Sequence, residues 1–285
     1  MRATGKSSKL SGARKYSRLW QRSAPTDRIG ANEHAYLQTW RQPSAVGQAS
    51  CTGRARHYGK RSGRKRFDAM TRYDRRVRLL AAGLSAIAGY VDAIGFLSLG
   101  GFFVSFMSGN STRLGVGLAN GSVSALIAAA LIATFVTGVA IGSIVGRLVR
   151  ARRRPAVLGL VALLLAIAAS LDMASQTRPA IIAMGLAMGA ENAVFERDGE
   201  IHISLTYMTG TLVKVGQRIA SIPFGGGPWA WTPYFLLWLG LVTGAVAGAL
   251  VYPSLGLAGL WIAAGAAGLF ALVAVWMGPD RSDPT

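Results

Sequence analysis

Six long apolar segments dominate this sequence and constrain its fold more than any other feature. A helix that spans a membrane needs about 20 predominantly apolar residues, and all six segments reach or approach that length. They are residues 79–99, 124–148, 156–171, 180–195, 234–252 and 255–277. A soluble helical core would need polar faces for water, and these segments carry too few charges to supply them. The sequence therefore predicts an all-α polytopic membrane protein with about six transmembrane helices.

The net charge of +19 is concentrated in the first quarter of the chain. Residues 1–69 contain 16 Lys and Arg against three Asp and Glu, and they contain no apolar run. An arm of this composition cannot bury a core, so we expect it to be disordered and to bind anionic lipid on the cytoplasmic leaflet. The alternative is a mis-set start, with translation beginning at Met70 and the membrane domain comprising residues 70–285. A basic arm on an apolar body is not typical of a nucleic-acid-binding domain.

Three strings recur in the same order in the two halves of the apolar region. The matching pairs are residues 89–93 with 189–193, 104–115 with 205–216, and 136–142 with 242–248, at offsets of 100, 101 and 106. Gly and Ala are common in such segments, so one match would be weak, whereas three in register indicate a duplication. We predict two homologous halves, residues 79–177 and 178–277.

Positive residues at the ends of the apolar segments predict how the halves are oriented. Arginines at positions 75, 76 and 78 precede the first span, and five more between Arg147 and Arg154 follow the second. Both groups are cytoplasmic only if residues 100–119 enter and leave the membrane from one face. Each half then has three spans and one re-entrant or broken segment, which gives a 3+3 inverted repeat with both termini in the cytoplasm. The alternative lets the motif segments span, which gives eight spans and parallel repeats.

An acid inside the first predicted span is the first candidate site residue. Asp92 lies 14 residues after Arg78, and an intramembrane carboxylate is a functional candidate by default. Its counterpart in the second half is the amide Asn192, with Glu191 beside it. One interpretation is a proton or cation site at the repeat interface. The other is a structural hydrogen bond that ties the span to the re-entrant backbone.

Polar residues surround a glycine in each predicted re-entrant segment. Ser108, Gly109 and Asn110 form the first group, and Thr209 and Gly210 belong to the second. Ser, Thr and Asn are preferred helix N-caps, and a half-helix that starts here would aim N–H groups and a positive dipole end into the bundle. The pattern indicates either an anion or carbonyl site or capping alone.

Arg113 and Lys214 occupy equivalent positions, each four residues after its motif glycine. An ion pair between Arg113 and Asp92 is one expectation, since an unpaired charge in apolar surroundings is very costly. Lys214 has the further option of extending its ammonium to the interface. The functional alternative is that both cations attract an anionic substrate from opposite faces.

The strings AGYVDAIGFLSLGGFFVSFMSGNSTRLG and AENAVF…ISLTYMTGTLVKVGQ resemble the YoaK family of bacterial inner-membrane proteins, which is defined by a domain of unknown function. The resemblance covers about residues 77–276 and implies a multi-pass protein of the bacterial cytoplasmic membrane, without an activity. Phe106 and Ser108 depart from the more usual Asn-Met-Thr-Gly-like string. The residues that fall on family motif positions are Asp92, Met107, Gly109, Asn110, Asn192, Met208 and Gly210.

The leading functional hypothesis is a small-molecule or ion transporter, or a channel, with its site at the repeat interface. The alternative is a non-transporting membrane scaffold or lipid-binding protein whose motifs are packing devices. We find no catalytic constellation, nucleotide loop or metal-ligand spacing, so we expect neither enzymatic activity nor a cofactor or metal. The expected partners are the lipid bilayer and a small-molecule or ion substrate, without nucleic acid. The sequence is also compatible with a homo-oligomer.

Overall fold

The computed structural model describes residues 75–197, 200–201 and 205–278. All of them belong to the compact unit Arg61–Thr285. The predicted basic arm, residues 1–69, and the proposed start at Met70 lie outside the described residues.

Eight α-helices make up most of the described chain. They are α1 (Arg75–Ser98), α2 (Met107–Ala119), α3 (Ser124–Leu148), α4 (Arg153–Met173), α5 (Thr177–Glu191), α6 (Met208–Ser221), α7 (Thr232–Leu255) and α8 (Leu260–Trp276). Short 3-10 turns follow several of them, including Asn192–Phe195 after α5 and Gly256–Gly259 after α7. In this part of the chain, the sheet structure consists of β1 (Glu196–Arg197) paired antiparallel with β2 (Glu200–Ile201). The predicted helical fold is confirmed apart from this small hairpin.

Four helical stretches of the described chain are long and apolar enough to cross a membrane. They are α1, α3, α4 and the 45-residue run Thr232–Trp276, which contains α7 and α8. That run breaks at Gly256, whose φ of +54° lies in the left-handed region that glycine adopts easily. The helix α5 has only 15 residues, fewer than the roughly 20 that a span needs. The chain is a multi-pass membrane protein, and the six-span count stays a prediction.

The helices pack in pairs that are distant in the sequence. The helix α1 lies along α7, α3 lies along α5, and α4 packs against both α5 and α8. The short helices α2 and α6 pack on α3 and α7 respectively. Glycines allow the close approach, because Gly244 contacts the carbonyl oxygen of Ala86 and Gly138 contacts that of Leu186. Close backbone contact of this kind supplies packing energy between helices in lipid.

The centre of the bundle is formed by α1 and α5. Half of the residues of α1 are buried, as are nine of the 15 residues of α5. By contrast, α3, α4, α7 and α8 expose many large apolar side chains, such as Leu126, Leu163, Leu250 and Leu272. Apolar side chains on the outside are what helices in contact with lipid tails require. The burial pattern therefore separates two central helices from a lipid-facing shell.

Candidate functional site

Two short segments without helical structure, residues 101–106 and 205–207, enter the centre of the bundle just before α2 and α6, and we call them the first and second extended segments. Val104 and Leu205 belong to no helix, yet neither side chain has exposed surface. Ser85 of α1 donates a hydrogen bond from Oγ to the carbonyl oxygen of Leu205 at 3.3 Å. The side chain of Val104 lies over Gly95 of α1, at a position that a β-carbon there would fill. Irregular backbone inside a membrane is tolerated only where protein or cavity water satisfies its polar groups.

The chain turns into α2 and α6 with the same geometry. Phe106 has φ −87° and ψ 76°, and Tyr207 has φ −86° and ψ 70°. These values are close to those of an inverse γ-turn. The first N–H of each helix donates to the carbonyl two residues earlier, that of Ser105 at 3.1 Å and that of Thr206 at 3.0 Å. The two breaks are therefore built alike.

The predicted capping role of the polar motif residues is wrong. Neither α2 nor α6 has a hydrogen bond from a capping side chain at its start. The hydroxyls of Ser111 and Thr112 donate instead to carbonyls within α2. Ser108 and Thr209 are exposed in the first turns of their helices. The physical reason is that the residue before each helix is aromatic, so no short polar side chain stands where a cap is needed.

Asp92 holds the first extended segment in place. Its Oδ1 accepts hydrogen bonds from the backbone N–H groups of Val104 and Ser105, at 2.8 and 2.9 Å. Hydrogen bonds to an ionised carboxylate are roughly twice as strong as neutral ones. This geometry is the one that the structural interpretation of Asp92 predicted. A proton or cation site at Asp92 stays a prediction.

Asn110 of α2 forms hydrogen bonds with the first extended segment. Its side chain is fully buried. Its Nδ2 donates to the carbonyl oxygen of Phe103 at 2.6 Å, and its Oδ1 accepts from the N–H of Phe103 at 3.1 Å. Both polar groups of one backbone residue are thus satisfied by a single amide. Asn110 positions the break rather than presenting a free polar group.

Asn192 has a comparable role in the second half. Its Nδ2 donates to the carbonyl oxygen of Met188 at 3.0 Å, within the end of α5. Its Oδ1 accepts a hydrogen bond from Oγ1 of Thr206 at 3.1 Å. Thr206 belongs to the second extended segment. Asn192 therefore holds that segment through a hydroxyl, where Asp92 holds the first through backbone N–H groups.

The two motif glycines leave room for an aromatic ring. A β-carbon on Gly109 would lie 2.6 Å from the ring of Phe106, and one on Gly210 would overlap the ring of Tyr207. In each case the ring belongs to the turn residue three positions earlier and folds back onto the first turn of the helix. Packing alone therefore explains why glycine stands at both positions.

The two motif cations lie over aromatic rings. The guanidinium carbon of Arg113 is 4.8 Å from the centre of the Phe102 ring, and Nζ of Lys214 is 5.5 Å from that of Tyr234. Both distances suit a cation–π interaction. The expected ion pair between Arg113 and Asp92 is not formed, because Asp92 is engaged by the backbone of residues 104–105. Attraction of an anion by Arg113 and Lys214 stays a prediction.

Glu191 is a candidate that the sequence interpretation did not select. Its side chain has no exposed surface, and within the described residues neither carboxylate oxygen has a hydrogen-bond partner. It lies on one face of α5 with Met184 and Met188, both fully buried. The sequence did carry a signal, since an acid among apolar, glycine-rich residues meets the same criterion as Asp92.

A group of charged and polar side chains closes the end of the bundle that follows α5. We call Ser143, Arg147, Arg153 and Glu196 the Glu196 cluster. Oε2 of Glu196 accepts a hydrogen bond from Ser143 and lies 2.8 Å from Nη2 of Arg153, while Oε1 lies 3.5 Å from Nη2 of Arg147. Burial raises the pKa of Glu196, but the Ser143 hydroxyl and the two guanidinium groups outweigh it and hold the pKa below its usual value. The cluster joins α3, α4 and β1.

No group of three or more His, Cys, Asp or Glu within the described ranges is placed to hold a metal ion. The described side chains offer hydrogen bonding, charge attraction and proton binding. The short helices α2 and α6 contribute N–H groups at their starts, α1 contributes Asp92, and α5 contributes Glu191 and Asn192.

Comparison with known proteins gives one matching family model and two clear relatives. The model is described as "Protein of unknown function (DUF1275)" and matches residues 80–273. The UPF0700 transmembrane protein RA0705 of Rhizobium meliloti (strain 1021) is 36% identical over 184 residues, which are 64% of this chain and 79% of that protein. The UPF0700 transmembrane protein YoaK of Bacillus subtilis (strain 168) is 34% identical over 146 residues, 48% of this chain and 64% of that protein. No solved structure matches the chain.

Proposed function

The chain belongs to the DUF1275 family of proteins of unknown function, which confirms its resemblance to YoaK, and we propose that it moves a small molecule or an ion across the membrane. In this proposal it is a transporter or channel built from two inverted halves, with its site at the interface between them. The membrane is the bacterial cytoplasmic membrane, and both termini lie in the cytoplasm. The observation that carries the proposal is the reciprocal packing of the two halves.

The contacts between α1 and α7 repeat those between α3 and α5. Glycines lie against the backbone of the facing helix in both interfaces, and two such contacts in one interface correspond to two in the other. The pairs are Gly138 with Leu186, Gly142 with Ala190, Gly244 with Ala86, and Gly248 with Tyr90. Gly138 and Gly142 lie 106 residues before Gly244 and Gly248. The partner residues Leu186 and Ala190 lie 100 residues after Ala86 and Tyr90. Both numbers are offsets of the predicted duplication. Reciprocal contacts of this kind support two repeats related by a two-fold axis, the arrangement of many secondary transporters.

The two extended segments support a site at this interface. In transporters with inverted repeats, discontinuous helices supply backbone groups to the substrate near the middle of the membrane. The first N–H of each helix is bonded to the carbonyl two residues earlier, but the next N–H groups of α2 and α6 have no side-chain cap, so they are available to an anionic or carbonyl group. In this proposal the contacts come from the first turns at Ser108–Gly109 and Thr209–Gly210. Asp92, Asn110 and Asn192 position these turns.

Flux through reconstituted vesicles tests the proposal. The full chain is placed in liposomes, and uptake of a panel of radiolabelled anions, cations, amino acids and sugars is compared with uptake by empty liposomes. We expect uptake of at least one solute by the wild type and a loss in Asp92→Asn, because the backbone of residues 104–105 would be held less firmly. Asp172→Asn, at the end of α4, is the matched control and should retain uptake. If the wild type moves no member of the panel, the proposal fails.

Labelling from the two sides of the membrane tests the inverted arrangement. Thr112 on α2 and Val213 on α6 are exposed and differ by 101 residues, so they are equivalent positions. Each is changed to cysteine in a Cys51→Ala background and exposed to a membrane-impermeant maleimide. Inverted repeats predict labelling from opposite faces. Labelling of both from the same face would support the parallel, eight-span alternative.

The second candidate is a non-transporting membrane scaffold or lipid-binding protein. The observation in its favour is that Asp92 and Asn110 are engaged by backbone groups of their own chain, as packing devices would be. In that case Asp92→Asn would lower stability, and no solute in the panel would move. Neither candidate includes enzymatic chemistry or a cofactor.

A further inference from the structure

We propose that Glu191 is a proton-binding site, whose carboxyl group takes up a proton from water and returns it when the bundle opens. The inference rests on the proposed transport function, in which this proton is the coupling ion. It depends on the burial of Glu191, on the lack of hydrogen-bond partners for its carboxyl group among the described residues, and on the Glu196 cluster that follows it in the chain.

The surroundings of Glu191 require a neutral carboxyl group in this conformation. The side chain has no exposed surface, and neither oxygen is hydrogen-bonded within the described ranges. An ionised carboxylate in apolar surroundings, without a counter-charge or hydrogen bonds, costs far more free energy than a neutral acid does. The group is therefore protonated here, and the same carboxyl would release its proton once water reached it.

Within the described residues, the elements packed on α5 place no counter-charge against Glu191. Their described charged and titratable residues are Arg147 on α3; Arg153, Arg154 and Asp172 on α4; Arg75, Arg76, Arg78, Tyr90 and Asp92 on α1; and Glu196 after the turn that follows α5. Arg147 and Arg153 pair with Glu196, and Asp92 accepts backbone N–H groups. The others lie over an aromatic ring, donate to a carbonyl, or stand at helix ends. A proton is the cation that Glu191 can bind in this conformation.

The equivalent position in the first half shows that the fold does not need an acid here. Glu191 corresponds to Val91 at the predicted offset of 100. Val91 is also fully buried in the core. Because valine fills this position on α1, packing does not explain a glutamate on α5. The difference between the halves points to a chemical role for Glu191.

In this proposal, water and protons reach Glu191 from the side of the Glu196 cluster. Arg153 donates from Nε to the carbonyl oxygen of Ala193, two residues after Glu191, at 3.1 Å. The same guanidinium pairs with Glu196 at 2.8 Å, so Arg153 fastens the end of α5 to α4. In this proposal, separation of this pair frees the end of α5 and lets water reach Glu191. On release, the O–H bond breaks, its electron pair stays on the carboxylate, and the proton passes to water; uptake is the reverse.

Infrared spectroscopy of the full chain in liposomes tests proton binding directly. We expect a protonated-carboxyl C=O stretch at neutral pH that shifts in D₂O and disappears at alkaline pH. The band should be absent in Glu191→Gln and present in Asp92→Asn, the matched control. Glu191→Val serves as a second assignment variant if the glutamine variant does not fold, since valine stands at position 91. The proposal is overturned if the wild type lacks the band, if Glu191→Gln keeps it, or if it neither exchanges nor titrates.

The flux assay separates this inference from the transport proposal. For a solute that the wild type moves, an imposed proton gradient should accelerate uptake several-fold. Glu191→Gln should lose that acceleration but keep exchange without a gradient. Solute uptake at the same rate with and without the gradient would contradict proton coupling but would still support transport. A titrating carboxyl band without uptake of any solute would support the proton site and contradict the transport function.

Discussion

The carbonyl oxygen of Ala86 lies directly against the Cα of Gly244, with no room for a β-carbon between α1 and α7. Leu186 and Gly138 make the corresponding contact between α5 and α3. These contacts join helices from different halves of the sequence. The close pairing of α1 with α7 and of α3 with α5 therefore depends on a hydrogen atom where other residues carry a side chain.

Alanine at either glycine should loosen its interface. We expect Gly244→Ala and Gly138→Ala to lower the free energy of unfolding by about 1–3 kcal/mol each, because the facing backbone cannot move aside. Unfolding of the purified variants in mixed detergent micelles measures the effect. The control is Gly265→Ala in α8, where a β-carbon would meet open space. It should be neutral or stabilising by up to about 1 kcal/mol. Equal effects at all three positions would contradict the packing argument.

Asp92→Asn should weaken the hold on the first extended segment. The amide oxygen can still accept from the N–H groups of Val104 and Ser105, but the charge that strengthens those bonds is lost. We expect a loss of about 1–2 kcal/mol in the free energy of unfolding. Hydrogen exchange at Val104 and Ser105 should rise in parallel, with Asp172→Asn as the unaffected control. Unchanged exchange at both amides would show that Asp92 does not fasten this segment.

The Glu196 cluster should make stability depend on pH on the acid side. The pKa of Glu196 is lower in the folded chain than its ordinary value of 4.5. The stabilisation is therefore fully present above that ordinary value and is lost as the pH falls through the lowered folded value. Thermal unfolding of the wild type across this acid range should show the loss of stability. The Glu196→Gln variant should lack the part of this pH dependence that Glu196 contributes.

The two arginines of the cluster should differ in effect. The Arg153 side chain is mostly buried, and its Nη2 lies 2.8 Å from Oε2 of Glu196. The Arg147 side chain is 68% exposed, and its Nη2 lies 3.5 Å from Oε1 of Glu196. We expect Arg153→Gln to cost about 1.5–3 kcal/mol of unfolding free energy and Arg147→Gln less than about 1 kcal/mol. Thermal unfolding of both variants at neutral pH measures the difference. Equal losses would mean that burial does not decide the strength of these pairs.

Replacement of Glu191 by leucine should stabilise the fold while removing the proton site. The carboxyl group is buried without hydrogen bonds among the described residues, and an apolar side chain of similar size ends that desolvation penalty. We expect Glu191→Leu to raise the free energy of unfolding by about 1–3 kcal/mol. Glu191→Gln should not be stabilising, because it also buries an unpaired polar group. A lower stability of Glu191→Leu would reveal a partner for this carboxyl and argue against the proposed proton site.

Several features of the site could be predicted because they depend on neighbours in sequence. The glycine positions 109 and 210, the breaks before α2 and α6, and the candidacy of Asp92 all follow from local strings. The capping role failed because the residues that precede the helices, Phe106 and Tyr207, are aromatic. The ion pair of Arg113 with Asp92 failed because the Asp92 carboxylate finds closer donors in the backbone.

The sequence by itself determined that the chain is helical, that it belongs in a membrane, and which short strings carry its polar residues. These properties follow from composition and spacing along the chain. The tertiary structure alone decided which helices meet, and hence that Asp92 binds the segment before α2 while Glu191, an acid in a similar string, finds no partner. The physical reason is that hydrogen bonding and desolvation depend on atoms that lie close in space, often a hundred residues apart in the chain.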